Sequence, residues 1–141
     1  GEMAGNVLPE AFTCFTLSLD NLSELTKRFG YTVGDGVLKD FAGLVQLMGD
    51  TEGMRGYNGI GRFVVFFEEC SSKKAAAMIR ILDNQVEEYN SLNPEYPTRY
   101  TAAWATTEET DTYEIRELLR LSQKKWKQME KEKKDKTEEE T

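Results

Sequence analysis

The sequence contains no histidine, only two cysteines and only three prolines. Without histidine, histidine-based catalysis and histidine metal sites are excluded. Cys14 and Cys70 are too few for a disulfide scaffold and are typical of a reducing compartment, so we expect both to be buried free thiols. No apolar run approaches the roughly 20 residues that a membrane-spanning helix needs, and no signal-peptide pattern is present. We therefore expect a cytoplasmic segment without membrane contact of its own, either alone or within a larger membrane-anchored protein.

A surplus of positive charge is also missing, because the formal net charge is −7. This excludes a broad nucleic-acid-binding surface. Hydrophobic residues make up 39% and aromatic residues 11% of the 141 residues, which is enough for one domain with its own core. Only Lys, Glu, Asp and Thr follow Glu130. We expect residues 1–11 to be a linker or tag remnant, 12–133 to be the domain, and 134–141 to be a charged tail.

The hydrophobic periodicity predicts the element order β-α-α-β-β-α-β-α. Strands are predicted over 12–20, 54–57, 62–68 and 100–105, and helices over 22–29, 34–48, from Ser71 or Ser72 onward, and from Thr112 onward. Thr32 and Asp35 have capping-box spacing at the start of the second helix. Asn58-Gly59 is a strong hairpin signal. Val64 and Phe66 belong to an unbroken apolar run, so we expect that strand to be central and both residues to be almost fully buried.

Without one helix, this order is that of a ferredoxin-like fold. We therefore predict an α+β fold with an antiparallel sheet flanked by helices. In that topology, the first strand is the antiparallel neighbour of the second hairpin strand. Residues 18–20 then lie beside residues 59–62, and we expect any functional site at this junction.

Three segments of the sequence, two of them at this junction, resemble motifs of one known family. They are Ser18-Leu19-Asp20-Asn21-Leu22, the segment 29–38 with Gly34-Asp35-Gly36-Val37-Leu38, and the hairpin Asn58-Gly59-Ile60-Gly61-Arg62-Phe63. Their spacing resembles the D-x-D, G-x-x-x-G-D-x-x-L and G-G-D/E-E-F motifs of GGDEF domains, the diguanylate cyclase type. Lys124-Lys125-Trp126-Lys127 lies where the family has its last-helix motif. The resemblance covers roughly residues 12–133, and the family's leading L-T-x-L-x-N-R helix is absent.

The resemblance implies a nucleotide-cyclase-like fold and a specific test of activity. GGDEF cyclases join two GTP molecules into cyclic di-GMP across a dimer, with two metal ions held partly by acidic residues of the D-x-D and hairpin motifs. In this sequence Ser18 and Gly61 replace those two acidic ligands, and Arg62 replaces the next hairpin acid. Asp20 is the only acid left, and a guanidinium cannot deprotonate a hydroxyl. We therefore expect no metal site, no cofactor and no catalytic residues.

The family's nucleotide contacts are also reduced. Thr26 stands where the family has an Asn that contacts guanine, whereas the Asp of the G-D pair is retained as Asp35. Met129 replaces an expected Lys in the last helix, and Lys133 matches a basic position four residues later. Asp50 and Gly53 occupy the positions of the R-x-x-D product-inhibition motif, so no feedback site of that type is expected.

Each remaining site residue has a structural and a functional interpretation. Asp35 is either a helix-capping carboxylate or a base contact. Gly59 and Gly61 either allow positive φ in the hairpin or cradle a phosphate. Asp20 is either an N-cap or a lone metal ligand, and Arg62 is either a surface cation or a direct phosphate contact in the vacated metal space.

The function that we expect is a catalytically inactive GGDEF domain, acting as a regulatory or dimerisation module in a bacterial signalling protein. Its partners would be neighbouring domains of a longer chain and a second copy, with GTP or another nucleotide as a further candidate. The alternative is a metal-independent nucleotide-binding domain with weak or altered phosphohydrolase activity, carried by Asp20, Asp35 and Arg62. A cyclase with unusual ligands is the third hypothesis.

Overall fold

In the computed structural model, which describes residues 11–48, 54–55 and 60–140, strands and helices follow the predicted order. They are β1 (Thr13–Leu19), α1 (Leu22–Phe29), α2 (Tyr31–Leu47), β2 (Met54–Arg55), β3 (Arg62–Phe67), α3 (Ser72–Leu92), β4 (Tyr100–Thr106) and α4 (Ile115–Glu140). Ser71 caps α3, because its side chain accepts a hydrogen bond from the Lys74 amide. This settles which of the two candidate serines starts that helix.

The strands form one antiparallel sheet in the order β2-β3-β1-β4, so the predicted α+β fold is confirmed. β1 lies between β3 and β4, and all seven of its residues are buried. Successive side chains of β1 point to opposite faces of the sheet. Phe15, Leu17 and Leu19 join the core beneath α1, α2 and α3, whereas Cys14 packs with Leu118 of α4 on the other face.

β3 lies beside β1 as predicted, but the expected burial of Val64 and Phe66 is wrong. Phe63, Val65 and Phe67 are the buried residues of this strand, and Val64 and Phe66 are half-buried. The single helix on their face, α4, lies mainly over β1 and β4. The outer part of that face therefore stays partly open to solvent.

Two helices begin at other residues than the sequence predicts. α2 begins at Tyr31, directly after Gly30, whose φ of 95° turns the chain without a further linker. The predicted capping box of Thr32 and Asp35 is therefore wrong, because both residues lie inside the helix. α4 begins at Ile115 rather than Thr112, and the Thr112 hydroxyl accepts a hydrogen bond from the Glu114 amide.

One expectation from composition is confirmed. Cys14 and Cys70 are buried free thiols, and burial raises the pKa of Cys14 to about 11. Within the described ranges, none of the helices combines the length and the apolar character that crossing a membrane requires. The charged residues at the end of the sequence continue α4 up to residue 140, and residues 131–139 are exposed.

Candidate functional site

The predicted junction between β1 and the hairpin is present at the ends of both strands. Ser18 pairs with Arg62 in the sheet register, and the Leu19 amide donates a hydrogen bond to the Gly61 carbonyl oxygen at 2.7 Å. Gly61 has a φ of 83°, a conformation that favours glycine. Asn58 and Gly59 lie outside the described residues, so the role predicted for Gly59 stays a prediction.

Ser18 and Asp20 are joined to each other by a hydrogen bond. The Ser18 hydroxyl donates to Asp20 Oδ1 at 2.6 Å, and the Thr101 hydroxyl donates to Asp20 Oδ2 at 2.5 Å. Thr101 stands opposite Ser18 in the pairing of β1 with β4. The N-cap interpretation of Asp20 is wrong, because Asn21 occupies the N-cap of α1 and Asp20 bonds to its neighbours in the sheet.

The cation beside Asp20 is Lys133 of α4. Its Nζ lies 3.6 Å from Asp20 Oδ2 and donates hydrogen bonds to Thr101 Oγ1 at 2.6 Å and to the Tyr100 carbonyl oxygen at 2.9 Å. The ammonium therefore forms two hydrogen bonds to β4 and an ion pair with Asp20. Sequence analysis predicted Lys133 only as a matching basic position, not as the partner of Asp20.

Arg62 is held by an aromatic ring. Its guanidinium carbon lies 4.7 Å from the centroid of the Trp126 ring, which is within cation–π range. Trp126 Nε1 also donates a hydrogen bond to the Ser18 hydroxyl at 2.8 Å. Trp126, a residue of α4, therefore contacts both the end of β1 and the start of β3. Neither interpretation of Arg62 from the sequence, a surface cation or a phosphate contact, included this ring contact.

Glu130 is a second carboxylate close to Asp20. Both residues line an open cleft of about 570 Å³, together with Arg99, Lys133, Lys134, Thr137 and Glu138. Partial burial raises the pKa of Glu130; Thr101 opposes this rise as a hydrogen-bond partner, and the neighbouring Asp20 adds to it. Among the described residues, Oε1 of Glu130 is buried without a hydrogen-bond partner.

The two residues predicted to contact a base, Thr26 and Asp35, lie on α1 and α2 and not on the strands. Thr26 packs so closely against Gly34 that a Cβ at position 34 would overlap the Thr26 hydroxyl. Asp35 forms an ion pair with Lys39, one helical turn later, at 3.0 Å. The capping interpretation of Asp35 is therefore wrong, and its role as a base contact stays a prediction.

The two metal ions that the family uses do not fit these side chains. Mg²⁺ needs several oxygen ligands, usually carboxylates. Ser18 already bonds to Asp20 and Trp126, Gly61 has no side chain, and Asp20 faces an ammonium group. In the ranges 11–48 and 60–140, no cluster of three or more acidic, histidine or cysteine side chains could hold a metal ion.

The contacts of three site residues were missed for identifiable reasons. Thr101 follows from strand register, which fixes it opposite Ser18 once β1 and β4 are paired. Trp126 and Lys133 are seven residues apart and so share one face of α4, but only the docking of that helix shows that this face meets Ser18 and Asp20.

Comparison with solved structures supports the fold independently. The active GGEEF domain of a diguanylate cyclase from Vibrio cholerae is similar, with a TM-score of 0.74 at 18% identity over 87% of this chain and 78% of that chain. An EAL/GGDEF domain protein from M. capsulatus has a TM-score of 0.67 at 13% identity over 87% and 80% of the two chains. The GGDEF domain of DgcB from Caulobacter crescentus, in complex with c-di-GMP, has a TM-score of 0.59 at 16% identity over 68% and 59%.

At these identities the solved structures show the fold alone. No curated protein matches the sequence. The family model described as diguanylate cyclase, GGDEF domain, matches residues 4–136, which is nearly the whole sequence and includes Ser18, Asp20, Arg62, Trp126 and Lys133. This chain belongs to the GGDEF family.

Proposed function

We propose that this GGDEF domain makes no cyclic dinucleotide and acts as a regulatory module within a longer signalling chain. The observation that carries the proposal is the contact between Lys133 and Asp20. The one acid left at the motif has an ammonium group of the same chain as its cation. A divalent ion at this place would have to displace Lys133, and the D-x-D and hairpin positions would offer it a single carboxylate.

The loss of an acid at Gly61 supports the same conclusion. A Cβ at this position would lie 3.3 Å from both the Cβ and the carbonyl oxygen of Leu19, and the backbone has a φ of 83°. Both features disfavour any side chain here, so the local backbone is adapted to glycine. Arg62 cannot replace the missing acid, because a guanidinium is always protonated and does not ligate cations.

The base-reading positions give weaker support. Thr26 has a hydroxyl where the family has an amide, and this hydroxyl packs against Gly34. The Asp35 carboxylate is paired with Lys39 on the helix surface. A guanine contact would require Asp35 to exchange this partner, although an exposed ion pair of this kind is weak.

The proposal also covers the domain boundaries, the partners and the compartment. The domain comprises residues 12–133, with residues 1–11 as a linker and 134–141 as a charged extension. Its partners are neighbouring domains and a second copy of the chain. The compartment is the cytoplasm of a bacterium.

A second candidate function, metal-independent nucleotide binding, has one supporting observation. Arg99, Lys133 and Lys134 line the cleft beside Asp20 and could meet phosphate oxygens. Asp20, Glu130 and Glu138 line the same cleft and oppose an anion. The cleft is therefore mixed in charge, which favours the regulatory role over nucleotide binding.

Thermal unfolding and calorimetry with millimolar GTP and ATP, in Mg²⁺ and separately in EDTA, test the proposal. A nucleotide present at 100 times its Kd would add about 2.7 kcal/mol of stability. We expect no shift under either condition. Binding that requires Mg²⁺ would contradict the loss of the metal site.

Two pairs of variants then separate the remaining outcomes. Binding in EDTA that disappears in Arg62→Ala or Lys134→Ala would establish the second candidate function instead. Arg80→Ala and Lys136→Ala are the matched controls, because both replace exposed cations outside the cleft lining.

A further inference from the structure

The face of α4 that meets the sheet changes chemistry along the helix. Leu118 and Ser122 are fully buried in its first half. Trp126 and Glu130 are half-buried, and the Lys133 side chain is 51% exposed. The first half is thus held by packing, whereas the second half lies progressively further into solvent.

Polar contacts attach the second half of α4, and those of Trp126 and Lys133 converge on the candidate site, whereas Lys125 contacts Glu109 and the Trp104 carbonyl oxygen. Trp126 donates to Ser18 and receives the Arg62 guanidinium on its ring. Two turns later, Lys133 contacts Asp20 and Thr101. Beyond Lys133 the residues are exposed up to 139. The contacts by which the helix covers the site are therefore also contacts that hold this half of the helix in place.

Contacts of this kind open more easily than a packed core. A partly exposed ion pair contributes roughly 0–1 kcal/mol, because water screens both charges. Regions with few buried apolar contacts open locally at a fraction of the global unfolding free energy. The buried Leu118 and Ser122 prevent the first half of α4 from opening in the same way.

We propose that residues 124–140 of α4 form a releasable strap over Ser18, Asp20 and Thr101, and that release of this strap is the conformational change of the domain. Release frees Asp20 from Lys133 and Ser18 from Trp126, and it removes the ring beneath Arg62. One movement of α4 therefore changes the ends of β1, β3 and β4 together. A neighbouring domain can drive this change without any nucleotide.

The inference rests on the proposed function in one respect: it takes release of the strap, and not turnover of GTP, as the output of the domain. The contacts themselves do not depend on that assignment. Synthesis of a cyclic dinucleotide would therefore overturn the proposed function and leave the strap to be judged by its own experiment.

Hydrogen–deuterium exchange of the full chain, read by mass spectrometry without nucleotide, tests the strap. Lys133→Met removes the ammonium, and Trp126→Phe removes the indole N–H but keeps a ring. We expect Lys133→Met to speed amide exchange over 124–140 about tenfold, because it removes charge-assisted hydrogen bonds. Trp126→Phe removes a neutral hydrogen bond and should speed this exchange by a smaller factor. Exchange over 115–122 and in β1 should stay unchanged.

Lys131→Met and Lys136→Met are matched controls, since both replace exposed lysines of the same helix. We expect wild-type exchange in both. The strap is overturned if Lys133→Met behaves like these controls, or if residues 115–140 exchange as one unit in every variant. A variant that unfolds would show fast exchange in β1 as well. The Lys133→Arg variant, which keeps the charge, would then decide the question. Slow exchange over 124–140 in this variant would support the strap, and fast exchange would overturn it.

Discussion

Lys133 lies against Asp20, with Nζ 3.6 Å from Oδ2, and the Thr101 hydroxyl bonds to both groups. These three side chains come from α4, from the end of β1 and from the start of β4. Our predictions concern the fold that brings these residues together and the chemistry that results.

The burial of β3 predicts unequal costs for two neighbouring aromatic residues. Phe63 is fully buried against Phe41, with ring centroids 5.5 Å apart, whereas Phe66 is half-buried. We expect Phe63→Ala to lower the free energy of unfolding by about 3–5 kcal/mol, and Phe66→Ala by clearly less. Urea denaturation of both variants measures the difference. Equal losses would contradict the assigned faces of this strand.

The close packing of Thr26 on Gly34 predicts a coupling between α1 and α2. Gly34→Ala should destabilise the protein by about 1–3 kcal/mol, because the new methyl group overlaps the Thr26 hydroxyl. In a Thr26→Ala background this cost should largely disappear. A double-mutant cycle by chemical denaturation gives the coupling energy. Additive effects would mean that the two helices do not meet at these residues; Gly36→Ala, where a Cβ meets open space, is the control.

The pKa of Glu130 predicts a pH dependence of stability. Burial raises this pKa in the folded protein, so the folded state binds more protons than the unfolded state between the usual glutamate value and the raised value. The free energy of unfolding should therefore fall as the pH rises through this window. Glu130→Gln should remove that fall, match the wild type under acidic conditions and be the more stable protein at neutral pH.

Urea unfolding of the wild type and Glu130→Gln from pH 4 to pH 8 measures this difference directly. Glu139→Gln, an exposed residue of the same helix, should leave the pH profile unchanged. A Glu130→Gln profile parallel to that of the wild type would show that Glu130 does not titrate differently in the folded state.

The sheet and the location of the site could be predicted from the sequence, because both follow from local patterns. The alternation in β1 and the apolar run of β3 identify two strands, and antiparallel pairing brings Ser18 beside Arg62. The burial of Val64 and Phe66 could not be predicted, since it depends on where one helix crosses the sheet. No periodicity fixes that position.

The contacts within the site depend on tertiary docking in the same way. The capping box at Thr32 failed because Gly30, with a positive φ, lets α2 start immediately after α1. Lys133 and Trp126 were visible as helix residues, but their partners at the ends of β1 and β3 follow from the placement of α4. Sequence motifs locate the junction, whereas the structure shows which side chains contact Ser18, Asp20 and Arg62 there.

The most direct test of the proposed function is the incubation of the full chain with GTP and either Mg²⁺ or Mn²⁺, with cyclic dinucleotide detected by liquid chromatography and mass spectrometry. An active GGDEF domain assayed in parallel is the positive control, and a cooperative thermal transition shows that the tested protein is folded. Because Ser18, Gly61 and Arg62 replace acids and Lys133 engages Asp20, we predict no product above the enzyme-free reaction. Metal-dependent formation of cyclic di-GMP would contradict the proposal that this domain has lost cyclase activity.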